Sequence, residues 1–225
     1  ATGDELVAPG TPLGPDQIIA SNSYGLIPLL APWAEQVIDL GIVADDKDKL
    51  EAALLAAFDQ GVDMLVTTGG ASVGERDYVQ EVLRDLGVEV DFWKLRMRPG
   101  KPLMFGTRGR TLVFGLPGNP VSALVTATVI LKPALRAMTG HIDPFWPRIG
   151  VPTLLGLPPN GPRRHFMRAT LSRNDIGFMQ VEPIFETDSS HSTSLALADA
   201  LIVVPEDSPG VPPGEIVDVI PLSWG

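Results

Sequence analysis

Apolar positions along this chain fall into two regimes. Helix and strand patterns alternate up to about residue 140, and short strand-like runs follow. Ser21, Asn22 and Ser23 open a helix carrying Tyr24, Leu26, Ile27, Leu29 and Leu30, with Pro28 marking a kink or a first turn. Residues 36–40 predict a strand. Asp45 and Asp46 compete to cap the next helix, where Leu50, Leu54 and Phe58 recur at helical spacing and Gly61 supplies the stop. The apolar run 64–68 predicts a buried strand, and residues 77–86 a helix ended by Gly87. Further strands are predicted at 89–95, 103–105 and 112–116. An apolar helix over 121–138 is interrupted by Pro133 and closed by Gly140.

Helices alternating with strands predict an α/β domain, a three-layer αβα arrangement around a mostly parallel sheet. Beyond Gly140 the composition changes. Pro144, Pro147, Pro152, Pro158, Pro159 and Pro162 mark a linker and strand edges, and strands are predicted at 164–171, 178–183, 201–204 and 216–220. The expected domains are therefore 1–146, α/β, and 147–225, a small all-β barrel-like unit. Thr2-Gly3-Asp4-Glu5-Leu6 has the form of the tail of a truncated first strand, so the chain reads as an excised piece of a longer protein.

Composition narrows the chemistry. No cysteine occurs among the 225 residues, which excludes disulfides, zinc–thiolate sites and thiol nucleophiles. No apolar run approaches the roughly 18 residues of a membrane span, and no signal region opens the chain. A cytoplasmic protein without membrane contact is expected. The net charge of -10 argues against a nucleic-acid binder. Its distribution says more: residues 92–142 contain no Asp or Glu, yet hold Lys94, Arg96, Arg98, Lys101, Arg108, Arg110, Lys132 and Arg136. An acidic chain that gathers its bases in one acid-free stretch is building an anion site.

Two glycine loops, each launched from an apolar run, have the dense basic segment 94–110 between them. One is Gly69-Gly70-Ala71-Ser72-Val73-Gly74-Glu75-Arg76-Asp77, the other Gly115-Leu116-Pro117-Gly118-Asn119-Pro120-Val121-Ser122. Glycines at a strand end let backbone N–H groups approach an anion, and a helix start adds positive dipole. Glu5, Asp45 and Asp77 stand at the same predicted edge, where carboxylates beside phosphates hold a divalent cation; for Asp45 and Asp77 the competing role is a helix cap. Arg98-Pro99-Gly100-Lys101-Pro102 sets a planar fork and a compact ammonium around a rigid turn. None of His141, His165 and His191 has an acid partner in sequence, which argues against a Ser-His-Asp hydrolase, and no Gly-Lys-Ser/Thr marks a Walker loop. His141 and His165 read as polar loop residues.

With residues 2–6, the Gly69–Tyr78 run, Phe92-Trp93-Lys94-Leu95-Arg96-Met97-Arg98-Pro99-Gly100-Lys101-Pro102 and the Gly115–Ala123 run in order, the chain resembles the molybdopterin molybdenumtransferase family, the MoeA type that includes the large catalytic domain of gephyrin. The resemblance covers nearly the whole chain, with two N-terminal regions of the family absent. It implies insertion of molybdate into adenylylated molybdopterin with release of AMP, with Mg²⁺ as helper ion bound by Asp45 and Asp77. It also implies a homodimer, and impaired activity of this chain alone. By position, Glu5, Asp45, Asp77, Lys94, Arg98 and Lys101 match the family's catalytic charges. Gly69, Gly70, Ser72, Gly74, Pro117, Gly118, Asn119, Pro120 and Ser122 match its ligand loops, and Arg168 with Ser189 or Ser190 its C-terminal contribution. Arg98 replaces the Lys of many relatives, which keeps charge and changes geometry. The alternatives are a molybdopterin adenylyltransferase, which lacks the β domain, a gephyrin-like scaffold without catalysis, and a generic nucleotide-binding module.

Overall fold

The computed structural model describes residues 1–70, 78–185 and 195–222. In chain order its elements are β1 (Leu6–Val7), β2 (Ile18–Ile19), α1 (Asn22–Leu30), α2 (Lys47–Asp59), β3 (Met64–Thr68), α3 (Tyr78–Asp85), β4 (Glu89–Phe92), β5 (Met97–Arg98), β6 (Met104–Arg108), β7 (Thr111–Leu116), α4 (Pro120–Thr126), α5 (Lys132–Met138), β8 (Ile149–Pro152), β9 (Arg164–Arg173), β10 (Met179–Pro183), β11 (Ala200–Val204) and β12 (Ile216–Pro221). They form an α/β part and a small C-terminal β part. The chain divides into two compact units: Ala1–Leu95 with Gly100–Lys132, and Arg96–Pro99 with Pro133–Gly225. The boundary expected near residue 147 thus falls inside the second unit, and four residues of the basic turn belong to that unit as well.

In the first unit the main sheet runs β3-β7-β6-β4. Only β3 and β7 are parallel within it, while β6 is antiparallel to both neighbours. The sheet is mixed and not mostly parallel, because β6 and β7 form a hairpin through Gly109, whose φ of 57° suits a tight turn. Leu50, Leu54 and Ala57 of α2 and Val79, Val82 and Leu83 of α3 pack on Leu65 and Val113 of the sheet. Each such buried side chain contributes about 1.5–3 kcal/mol. Asp46 caps α2, its Oδ1 accepting from the Lys49 N–H at 3.0 Å. Residues 36–40 form no strand. Val37, Ile38 and Leu40 are exposed there, and the bridge in this region is Val43 with Thr2.

The helix predicted over 121–138 runs Pro120–Met138. A π turn, Ala127–Leu131, absorbs Pro133, and the Lys132 N–H reaches back to Ala127 at the five-residue spacing. Contrary to the sequence expectation, this helix is long and apolar enough to cross a membrane by length and composition, but 56% of that window is buried within the fold. It is a core helix that lies against β7. Gly25 of α1 stacks so closely on Leu124 of α4 that a Cβ would sit 2.8 Å from its Cδ2, and this approach positions Asn22.

The second unit is a small barrel. Its strands run β10-β9-β11-β12-β8 with antiparallel pairing, and a parallel bridge from Thr153 to Val181 closes the ring. Val151, Met167, Ala169, Val181, Ile202 and Val219 fill the interior. Alternation along β9 places Met167 and Ala169 inside and Phe166 and Arg168 on the other face. The short strand β5 adds to β9 in parallel, with Arg98 beside His165. A two-residue strand carries no periodicity, so nothing in the sequence pattern announced it.

Candidate functional site

Two constellations emerge, one in each unit. In the first, β3 and β7 run in parallel register, Thr68 beside Leu116, so both glycine loops leave the same end of the sheet. They approach closely: a Cβ on Gly118 would lie 3.4 Å from the Cα of Gly69. Gly69 has φ 86°, and a Cβ there would strike the carbonyl oxygen of Thr2. Only glycine fits that position. The N-terminal segment is threaded beside it, with the Thr2 N–H donating to the Thr68 carbonyl at 2.9 Å and the Gly3 N–H to the Val43 carbonyl at 3.3 Å.

This threading ties Asp4 to Asp45, each carboxylate accepting from the other's backbone N–H. The Asp45 N–H donates to Asp4 Oδ1 at 3.0 Å, and the Asp4 N–H to Asp45 Oδ2 at 3.4 Å. Since Asp46 is the cap of α2, Asp45 serves the turn next to the glycine rim, and Glu5 folds back over Gly3. Among the described residues, no cluster of three or more His, Cys, Asp or Glu side chains forms a metal site. Asp77, Ser72 and Gly74 lie outside the described residues, as do Ser189 and Ser190.

On the β7 side, Asn119 stands before α4 with an extended backbone, Pro120 takes the first helical position, and Ser122 is buried in the first turn. Asn22 Nδ2 donates to the Gly118 carbonyl at 2.8 Å. Among the described residues, three buried oxygens near this rim have no hydrogen-bond partner: Asn22 Oδ1, Asn119 Oδ1 and Thr67 Oγ1. Each such orphan costs about 1–3 kcal/mol unless water or a ligand satisfies it. Asn22 is the residue that reading the sequence missed. In the sequence it stands at a helix start, a position where Asn needs no other reason to occur.

The predicted cations divide between the units. Lys94 and Lys101 are exposed in the first, flanking a loop that the Leu95 N–H closes on the Lys101 carbonyl at 3.0 Å. Arg98 and Arg168 belong to the second, Arg98 half-buried on β5 and Arg168 buried on β9 opposite Leu201. His165 is a half-buried strand residue of β9 and not part of a loop. Burial, and after it the charges of Arg98, Arg168 and Arg163, lowers its pKa to about 4. Glu206 is held below the usual carboxylate range by its own backbone amide, and further by Arg164, whose Nη2 lies 3.2 Å from its Oε2.

Comparison with known proteins agrees with this arrangement. Residues 1–137 match the family described as "Probable molybdopterin binding domain", and residues 151–222 match "MoeA C-terminal region (domain IV)". The molybdopterin molybdenumtransferase of Haemophilus influenzae is 34% identical over 99% of this chain and 55% of its own length. That of Bacillus subtilis is 32% identical over 98% of this chain and 51% of its own length. The chain spans about half the length of the curated relatives it matches. Among solved structures, a molybdopterin biosynthesis moea protein from Pyrococcus horikosii superposes with a TM-score of 0.82 at 29% identity, covering 100% of this chain and 53% of that one. The chain belongs to the molybdopterin-binding domain family, in the form that carries a MoeA C-terminal region.

Proposed function

We propose that this chain is the ligand-binding half of a molybdopterin molybdenumtransferase, which inserts molybdate into adenylylated molybdopterin and releases AMP during molybdenum cofactor biosynthesis. The observation that carries the proposal is the close approach of Gly69 and Gly118 at one end of parallel β3 and β7, where even an added methyl on Gly118 would reach the Gly69 backbone. Ligands of open α/β sheets bind beyond strand ends of this kind. There the N–H groups of Gly69, Gly70 and Gly118 can meet phosphate oxygens of the pyrophosphate, and Ser72, Gly74, Pro117, Asn119 and Pro120 complete the loops. The unpartnered carboxamide oxygens of Asn22 and Asn119 are acceptors, so they suit the N–H edge of a heterocycle and not a phosphate.

Molybdate is itself a dianion, and joining it to a pyrophosphate-bearing dithiolene needs cations at the reacting atoms. Arg98, Lys101 and Ser122 are assigned to seat it, with Lys94, Arg168 and Ser189 or Ser190 in support. Mg²⁺ fits the donor set in kind: Asp45, whose carboxylate accepts from the Asp4 N–H, and Asp77 offer the hard oxygens that this ion takes. Bound there, it would neutralise phosphate charge, and Glu5 stands on the same side of the rim. The enzyme is proposed to work as a cytoplasmic homodimer on small-molecule substrates. The MoeA C-terminal match over residues 151–222 favours the molybdenum-inserting reaction over adenylyl transfer.

The test is to add adenylylated molybdopterin and molybdate to the full-length protein and follow AMP. Molybdate-dependent release is expected, lost in Asp45→Ala. Pterin adenylylation from ATP, or binding of AMP without any pterin, would overturn the assignment.

A further inference from the structure

His165 sits among basic residues, and the proposed chemistry gives the imidazole itself no role. Arg98 lies beside it on β5 in parallel register, and Arg96 precedes on the same segment. On its own strand stand Arg164 and Arg168, with Arg163 just before them. Across on β11 its neighbour is Val204, which brings no charge. The carboxylate next along that strand, Glu206, is taken by Arg164 at 3.2 Å. Among the described residues, the charges of Arg98, Arg168 and Arg163 thus bear on an imidazole that is half-buried, with Arg98 its direct neighbour in register. Such a setting expels the imidazole's proton and also favours capture of an anion.

We propose that His165 is the proton-linked residue of an oxyanion seat on the barrel: an oxyanion bound beside Arg98 draws a proton from solvent onto the imidazole, and the protein holds that anion more tightly as the pH falls. The inference rests on the assignment of Arg98 to the oxyanion. Its physics is reciprocal. A bound dianion offsets the guanidinium field that keeps His165 neutral, and the imidazolium in turn offers two N–H donors where the neutral ring offers one. No bond to the ring forms or breaks; one proton moves between bulk water and a ring nitrogen.

The experiment is an NMR pH titration of the His165 ring in the whole chain, without anion and with saturating sulfate or molybdate. Without anion the midpoint is expected near the value of about 4 that the free site sets. With anion it is expected to rise by about one to two pH units. Sulfate affinity should then be about two- to ninefold tighter at pH 5 than at pH 7. His165→Gln should lose that extra pH dependence. An unmoved midpoint, while the Arg98 backbone amide shifts on adding anion, would overturn the role of His165 and leave the seat standing. Failure of Arg98 and His165 signals to respond to either anion would overturn the seat as well.

Discussion

The side-chain amide of Asn22 donates to the carbonyl of Gly118 across 2.8 Å, tying the start of α1 to the second glycine loop. The bond spans 96 residues of sequence and holds the loop at a glycine, which has no side chain of its own. Asn22→Ala removes this tether. The expected cost is about 1 kcal/mol of stability with roughly tenfold weaker binding of adenylylated molybdopterin, read by thermal melting and calorimetry. Unchanged affinity would show that the tether does not organise the ligand loop.

Gly69 and Gly118 should respond differently to the same methyl group. At Gly69 an alanine meets both a φ of 86° and the Thr2 carbonyl, so Gly69→Ala should lose at least about 2 kcal/mol of stability. At Gly118 the added Cβ makes an ordinary contact of 3.4 Å with the Cα of Gly69. Gly118→Ala should melt close to the parent yet bind the pterin nucleotide more weakly, because the methyl occupies the rim. Urea unfolding and a binding titration on both variants separate the two effects.

The glycine loops were legible in the sequence because each demand there is local: an apolar run, then glycines, then a helix start. What escaped was set by distant partners. Nothing near Asn22 says that its amide meets residue 118. Val37, Ile38 and Leu40 looked like a strand, but an apolar pattern reports only that burial is wanted, and no described strand pairs with them. Arg98 was legible as a charge but not as a strand residue, since β5 exists only through its pairing with β9. Pro133 did not break its helix because a π turn upstream took up the missing N–H.

Acid should destabilise the fold through His165. Its folded pKa lies below the unfolded value, so between pH 6.5 and about 4 the unfolded chain binds more protons. Stability from this group is complete above pH 6.5 and is lost as the pH falls through that window. The loss is on the order of 1–2 kcal/mol once solvent screening is allowed for. His165→Gln should flatten this part of the profile, measured by urea midpoints at pH 7 and pH 4.5.

Lys47 of α2 reaches Glu81 at 2.8 Å and Asp85 at 3.0 Å on α3, and these two hydrogen-bonded carboxylates raise its pKa. The group is open to solvent, so Lys47→Met should shift the melting temperature little. Raising the salt concentration should close whatever difference remains.

The most direct test of the central claim is a titration of the whole chain with adenylylated molybdopterin, following the backbone amide signals of Gly69, Gly70, Gly118 and Asn119. The account predicts saturable shifts concentrated on these four residues and on Asn22. Binding that leaves all five unmoved would contradict it.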